Sequence, residues 1–290
     1  MTTFDRRLTP ARPDLAAMKL KGVIAAPVYA EGRPGRIIEA VAPVRAAPRA
    51  DAGLDTEALF GETLQVYDTD DEGWSWVQLD RDQYVGYVPA NAILIGDAPA
   101  TTHRVTALRS FMFPGVTIKE PPVNWVSLGS ELTITREIET NGRRFGVTPS
   151  GGAVVMQHIA PIGTHEADPV TVAECFLGTP YLWGGKSSLG IDCSGLVQTA
   201  LRAVGIEAPR DSDMQTASLG QEVALDPVLW RRGDILCWPG HVAFVRDSDT
   251  ILHANAFHMA TAIEDRSTAL ARIAAAGTPL KSVRRVWTHG

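Results

Sequence analysis

Short apolar runs broken by turn residues fill the first half of the chain. RIIEAVAPVRAAP, ETLQVYDTD, WSWVQLD and YVGYVPANAIL, between positions 36 and 97, read as successive strands, and their spacing predicts a small all-β barrel. A second β-rich stretch runs from about 101 to 160, in RVTALRSFMFP, SLGSELTITREI and RRFGVTP. No fixed-period repeat links the two stretches, so a second barrel is expected from element spacing alone. Ahead of them Pro10, Pro13 and Pro27 mark an arm laid over the body. The pattern changes near 164. A helix is predicted from Glu166 towards Cys175 and Phe176. A second follows from Leu196, Val197, Ala200, Leu201 and Val204, which recur at helical spacing, with Asp192 as its N-cap and Gly205 as its stop. Two β-like runs come next, one starting at His241 and one containing His253. The turn residues Asp247, Ser248 and Asp249 between them predict an antiparallel hairpin. The organisation expected is an arm (1–35), two β domains (36–98 and 99–163) and an α+β domain (164–290).

Composition narrows the class. The chain has 290 residues, 45% of them apolar, which is ample for more than one core. A net charge of −6 with dispersed Lys and Arg argues against a nucleic-acid surface. The three cysteines, at 175, 193 and 237, are too few for a disulfide framework and fit a reducing compartment. The first 22 residues hold no apolar core of a secretory signal, and no apolar run approaches the roughly 20 residues of a membrane-spanning helix. A cytoplasmic protein with no membrane partner is expected.

The chemistry concentrates around one thiol. Cys193 falls where the glycine-rich segment GTPYLWGGKSSLGID becomes a helix, and there unpaired backbone N–H groups and the helix dipole favour a thiolate. His241 and His253, on neighbouring strands, can face the same side. His241 is then the candidate base for Cys193 and His253 the group that fixes its tautomer. Cys175, among Ala173, Phe176 and Leu177, and Cys237, between Leu236 and Trp238, are expected in the core. His103, His158, His165, His258 and His289 are read as structural. A zinc site from His253, His258 and a cysteine finds no supporting C-x-x-C or H-E-x-x-H pattern.

Six segments agree in order and spacing with a known family. They are Pro180-Tyr181-x-Trp183-Gly184-Gly185, Asp192-Cys193-Ser194-Gly195-Leu196-Val197, Pro209-Arg210-Asp211-Ser212-x-x-Gln215, Arg232-Gly233-Asp234, Gly240-His241-Val242 and His253. On these residues the chain resembles the NlpC-type cysteine peptidases, papain-like enzymes that cut bacterial cell-wall peptides. The resemblance implies a helix carrying the cysteine packed on an antiparallel sheet carrying the histidines. Gly73-Trp74-x-Trp76-Val77 and Tyr84-Val85-Gly86-Tyr87-Val88-Pro89 resemble a bacterial SH3-like domain, and the second β stretch does so more weakly.

What the resemblance implies is a thiol endopeptidase, needing no metal or organic cofactor, that cuts the γ-D-glutamyl–diamino acid bond of muropeptides with a free N-terminal L-alanine. In a cytoplasmic protein that is a step of murein peptide recycling. The substrate-binding residues it implies are Tyr84, Trp183, Asp192, Ser194, Arg210, Asp211 and Ser212. Arg210 or Ser212 would meet the α-carboxylate of D-glutamate, and Tyr84 with Asp211 the free amine. The other readings are a thiol-dependent amidase or acyltransferase on a different substrate, and a module that binds wall peptides without cutting them.

Overall fold

The computed structural model describes residues 4–287, so His289 lies outside the described residues. The chain divides into two compact units, between Ile162 and Gly163. Among the described residues no helix is long and apolar enough to cross a membrane.

The first unit is built on seven strands: Arg33–Ile37 (β1), Val41–Arg45 (β2), Leu54–Leu59 (β3), Thr63–Thr69 (β4), Trp74–Leu79 (β5), Val85–Pro89 (β6) and Ile93–Ile95 (β7). They pair antiparallel in the order β3-β2-β6-β5-β4-β1-β7. Alternation of side chains puts Ile37, Val44, Leu64, Val77, Leu79 and Val88 into one apolar cluster on the inner face. The expected barrel is not closed: β3 and β7, the ends of that order, do not pair with each other among the described residues. Register shifts at Val44/Arg45 and Val66/Asp68 bend the sheet instead. The arm is partly ordered by packing. Leu15–Ala17 pairs in parallel with Val28–Ala30, and Leu15 and Ala17 lie against Tyr67, Trp76 and Val85.

The second β stretch forms three small sheets rather than one barrel. Val105, Met112, Val126, Leu132, Val154 and Ile159, drawn from all three, share a core. It is joined to the first stretch by close backbone contact at Gly61. Gly61 has φ +85°, and a Cβ there would stand 2.0 Å from the carbonyl oxygen of Glu131.

The second unit is α+β. Its sheet comprises Gln221–Val223 (β8), Ile235–Trp238 (β9), His241–Val245 (β10), Thr250–Asn255 (β11), Ala260–Asp265 (β12) and Ser282–Arg285 (β13), all pairings antiparallel, in the order β8-β13-β9-β10-β11-β12. Its helices are Pro169–Glu174 (α1), Cys193–Ala203 (α2), Ser212–Ser218 (α3) and Arg266–Ala275 (α4). Helix α2 packs on β10 and β11 and is buried along its length apart from Arg202, as its apolar spacing predicts. Leu236, Trp238, Ala243, Val245 and Ile251 form a second cluster with Ala269 of α4. Cys237 is fully buried as expected. Cys175 is not in the core: α1 ends at Glu174, and Cys175, its C-cap, is exposed with its thiol directed back to the Thr171 carbonyl.

Candidate active site

Helix α2 starts where the sequence predicts, because Asp192 caps it. Asp192 is extended (φ −98°, ψ 178°), and its Oδ1 accepts the Gly195 N–H at 2.7 Å. Its Oδ2 accepts the Gly184 N–H at 2.9 Å, which ties the glycine loop to the same carboxylate. Cys193 is thereby held in the first turn at 6% exposure, its thiol against the backbone N–H groups of Ser194 and Val242. Val242 follows His241, so this contact joins the helix start to the start of β10. Gly205, at φ +83°, lies just past the other end of the helix, as predicted.

Arg210 faces inward. It is 1% exposed and carries no guanidinium to a solvent-facing pocket. Nη1 and Nη2 donate to Asp192 Oδ1 and Oδ2 at 2.9 and 2.8 Å, Nη1 also to Ser194 Oγ at 2.9 Å, and Nη2 to the Gly185 carbonyl at 3.1 Å. This bidentate pair anchors the nucleophile loop and ties Arg210, Asp192 and Ser194 to one another. Tyr84 is 3% exposed and part of the apolar cluster of the first unit. Three candidates remain accessible. Trp183 is 72% exposed on the loop, and Asp211 and Ser212 are half-buried at the start of α3, where Asp211 makes no side-chain capping bond to the helix.

The hairpin brings the histidines together. Phe244 pairs with Leu252 and Val245 with Ile251, so His241 and His253 fall on the same face. Their rings meet through His241 Nε2 and His253 Nδ1 at 2.9 Å, which leaves Nδ1 of His241 as its remaining ring nitrogen. Trp238, opposite His241 in the register, packs against its ring at 5.5 Å between centroids. Behind His253 lies a group the sequence reading missed. His253 Nε2 is 3.1 Å from Glu264 Oε2, and Arg272 of α4 holds that carboxylate from Nε and Nη2 at 3.0 and 2.6 Å. The signal was present in the alternation of β12, which puts Glu264 one pleat from Ala262, the partner of His253.

The electrostatics differ from the thiolate expectation. Burial, reinforced by the Asp192 charge, pushes the Cys193 thiol up to about 12, outweighing the backbone donors and Arg210. Burial likewise takes His241 down to about 3, with His253 adding to the shift. Burial and the Arg272 charge take His253 down to about 3. The resting site is thus a neutral thiol beside neutral imidazoles. Tyr181, a second residue not singled out, stays a protonated phenol. Burial and then the neighbouring Cys193 and Asp192 charges raise its pKa.

His253, His258 and Glu264 bring potential ligand atoms within 4.8 Å of one another. Both nitrogens of His253 and both oxygens of Glu264 already have hydrogen-bond partners, and His258 Nδ1 faces Asn255 Oδ1 at 3.0 Å. The set is satisfied as a hydrogen-bond network.

Comparison with known proteins agrees with this geometry. Residues 178–270 match the NlpC/P60 family, and residues 44–93 match the bacterial dipeptidyl-peptidase Sh3 domain. The chain is 27% identical to dipeptidyl-peptidase 6 of Lysinibacillus sphaericus, over 76% of its own length and 86% of that protein's. It is 30% identical to the γ-D-glutamyl-L-lysine dipeptidyl-peptidase of Bacillus subtilis, over 64% of each chain, and 28% identical to the Bacillus cereus protein of that name, over 63% of its own length and 59% of the relative's. An NlpC/P60 family crystal structure from Bacillus cereus superposes with a TM-score of 0.72 at 20% identity, covering 88% of this chain and all of that one, a likeness of fold. With a thiol at a helix start, paired histidines on a hairpin and these matches, the chain carries an NlpC/P60 family cysteine peptidase domain, of the papain-like superfamily, behind a bacterial SH3-type domain.

Proposed function

We propose that the protein hydrolyses the γ-D-glutamyl–diamino acid bond of muropeptides that bear a free N-terminal L-alanine, in the cytoplasm, as a step of murein peptide recycling. The observation that carries this reading is the Cys193–His241–His253 arrangement, the thiol touching the residue next to His241 and His241 bonded to His253 at 2.9 Å. The substrate class is supported by the two relatives named γ-D-glutamyl-L-lysine dipeptidyl-peptidase and by the match to the dipeptidyl-peptidase Sh3 domain. The second β stretch is included in this reading as a further SH3-like module.

The site's chemistry follows from its neutral resting state. Nδ1 of His241 takes the Cys193 proton as sulfur attacks the γ-carbonyl, and the imidazolium then protonates the leaving amine of the diamino acid. His253 orients His241 throughout. Water attacks the thioester in the second half-reaction, with His241 again as base. Backbone N–H groups around Cys193 hold the oxyanion, at about 3–4 kcal/mol per donor. In this reading the Ser212 hydroxyl donates to the D-glutamate α-carboxylate, Asp211 accepts from the ammonium, and Trp183 meets an apolar face of the peptide.

The test is mass spectrometry of L-Ala-γ-D-Glu-meso-diaminopimelate incubated with the protein, beside the N-acetylated peptide and the Cys193→Ala variant. The expected result is release of L-Ala-D-Glu from the free-amine peptide by the native protein alone. Equal cleavage of the acetylated peptide removes the amine requirement. Activity retained in Cys193→Ala refutes the mechanism.

A further inference from the structure

A neutral Cys–His pair works only if the base presents a lone pair to the thiol, and an imidazole offers one lone pair and one N–H. Which nitrogen of His241 carries the proton is therefore decisive. His241 Nε2 faces His253 Nδ1 at 2.9 Å, so one of these two atoms is the donor and the other the acceptor. If His253 donates from Nδ1, His241 must accept on Nε2 and its proton sits on Nδ1, where it blocks catalysis. If His253 accepts, Nδ1 of His241 is free to be the base. Nothing within the two histidines selects between these states.

Glu264 selects. A carboxylate only accepts, so His253 Nε2, 3.1 Å from Glu264 Oε2, must carry the proton. His253 Nδ1 is then bare and accepts from His241 Nε2–H, leaving His241 Nδ1 with its lone pair. Arg272 keeps Glu264 in this role by donating to both of its oxygens, at 3.0 and 2.6 Å. Its own guanidinium lies 4.2 Å over the Phe257 ring. The side chain of His253 is fully buried and that of Glu264 is 9% exposed, so water does not compete freely for these bonds.

We infer that Glu264, held by Arg272, is a positioning residue that sets the tautomers of His253 and His241, extending the Cys193–His241–His253 site to a fourth member. The inference rests on the reading of Cys193 and His241 as nucleophile and base. Where a carboxylate orients the base directly, its loss of acceptor character costs about 10⁴ in kcat. Glu264 acts one residue further out, and a loss of roughly ten- to a hundredfold is expected, as for other outer-sphere partners.

The experiment joins nitrogen NMR of the ¹⁵N-histidine-labelled full chain with kinetics on L-Ala-γ-D-Glu-meso-diaminopimelate, for the native protein, Glu264→Gln and Glu264→Met. In the native protein His253 and His241 should both carry their proton on Nε2. Gln can accept the same bond through its amide oxygen and should keep these tautomers, with kcat within about threefold. Met offers only a weakly accepting thioether, and should mix the tautomers and lower kcat roughly ten- to a hundredfold at unchanged KM. A native His253 protonated on Nδ1 overturns the inference even if the Met variant does not fold. So does a Gln variant as impaired as Met with its tautomers intact, or a folded Met variant unchanged in both readouts. Native tautomers as expected but no peptide turnover would support the positioning role while rejecting the proposed substrate.

Discussion

Replacing Arg210 separates a substrate-binding arginine from a structural one. Its guanidinium makes four hydrogen bonds within the nucleophile loop, two of them to Asp192, whose side chain is only 11% exposed. In Arg210→Met the Asp192 carboxylate keeps the Gly184 and Gly195 N–H groups but loses its counter-charge, and Ser194 Oγ and the Gly185 carbonyl each lose a donor. Breaking a buried pair of this kind from one side costs about 3–5 kcal/mol. At about 2–4 °C per kcal/mol for a chain of this size, the unfolding midpoint should fall by roughly 6–20 °C. Arg210→Lys keeps the charge but not the bidentate geometry, and about half that loss is expected. Scanning calorimetry of the three proteins gives the midpoints, and turnover measured well below them gives KM. A substrate-gripping arginine predicts the reverse pattern, with a raised KM and an unmoved midpoint. That result would refute the assignment of Arg210 to the loop.

Three further outcomes follow from the site and its scaffold. His241 and His253 are held near 3 in the folded chain and rise to about 6.5 when it unfolds, so between these values unfolding takes up protons and stability must fall as pH falls. At pH 5 the loss is about 2 kcal/mol per imidazole; chemical denaturation from pH 7.5 to 4.5 should show it, and His253→Asn should flatten the dependence by one proton. Iodoacetamide should alkylate Cys193 slowly at neutral pH and about tenfold faster per pH unit from 7 to 10, because the buried thiol titrates near 12; a rate plateau reached by pH 6 would instead reveal a preformed ion pair. Gly61→Ala forces φ +85° on an L-residue and drives its Cβ against the Glu131 carbonyl. It should destabilise the first unit by more than about 2 kcal/mol, read by thermal unfolding, and leave thiol reactivity unchanged.

The parts of the site legible in the sequence are those written in local code. Asp192 before an apolar stripe at helical spacing announces the cap, and the turn residues at 247–249 announce the hairpin that aligns the two histidines. What was not legible depends on burial and on distant pairing. Arg210 looks like a free cation in a polar loop, and only the packed fold turns it inward onto Asp192, eighteen residues away. Cys193 sits at a helix N-terminus, which predicts a thiolate, but burial of the thiol itself outweighs the dipole. Tyr84 lies in a recognisable aromatic segment whose alternation does not say which face is the core. Glu264 and Arg272 carry no motif at all, since their meeting requires the register of β12 and the docking of α4 against it.

Both ends of the reacting pair are fixed by an arginine–carboxylate clamp. Arg210 and Asp192 hold the helix start that carries Cys193, and Arg272 and Glu264 hold His253, which holds His241. The need for two anchors follows from the neutral resting state. An ion pair draws its partners together by its own attraction, whereas a neutral thiol and imidazole attract weakly, and their approach must be set by the surrounding structure. The charges excluded from the reacting pair reappear one step outward, on groups that are not consumed in the reaction. On this reasoning loosening either clamp lowers kcat before it affects KM. The Arg210 clamp alone should cost much stability, because its arginine is fully buried while Arg272 can still reach water.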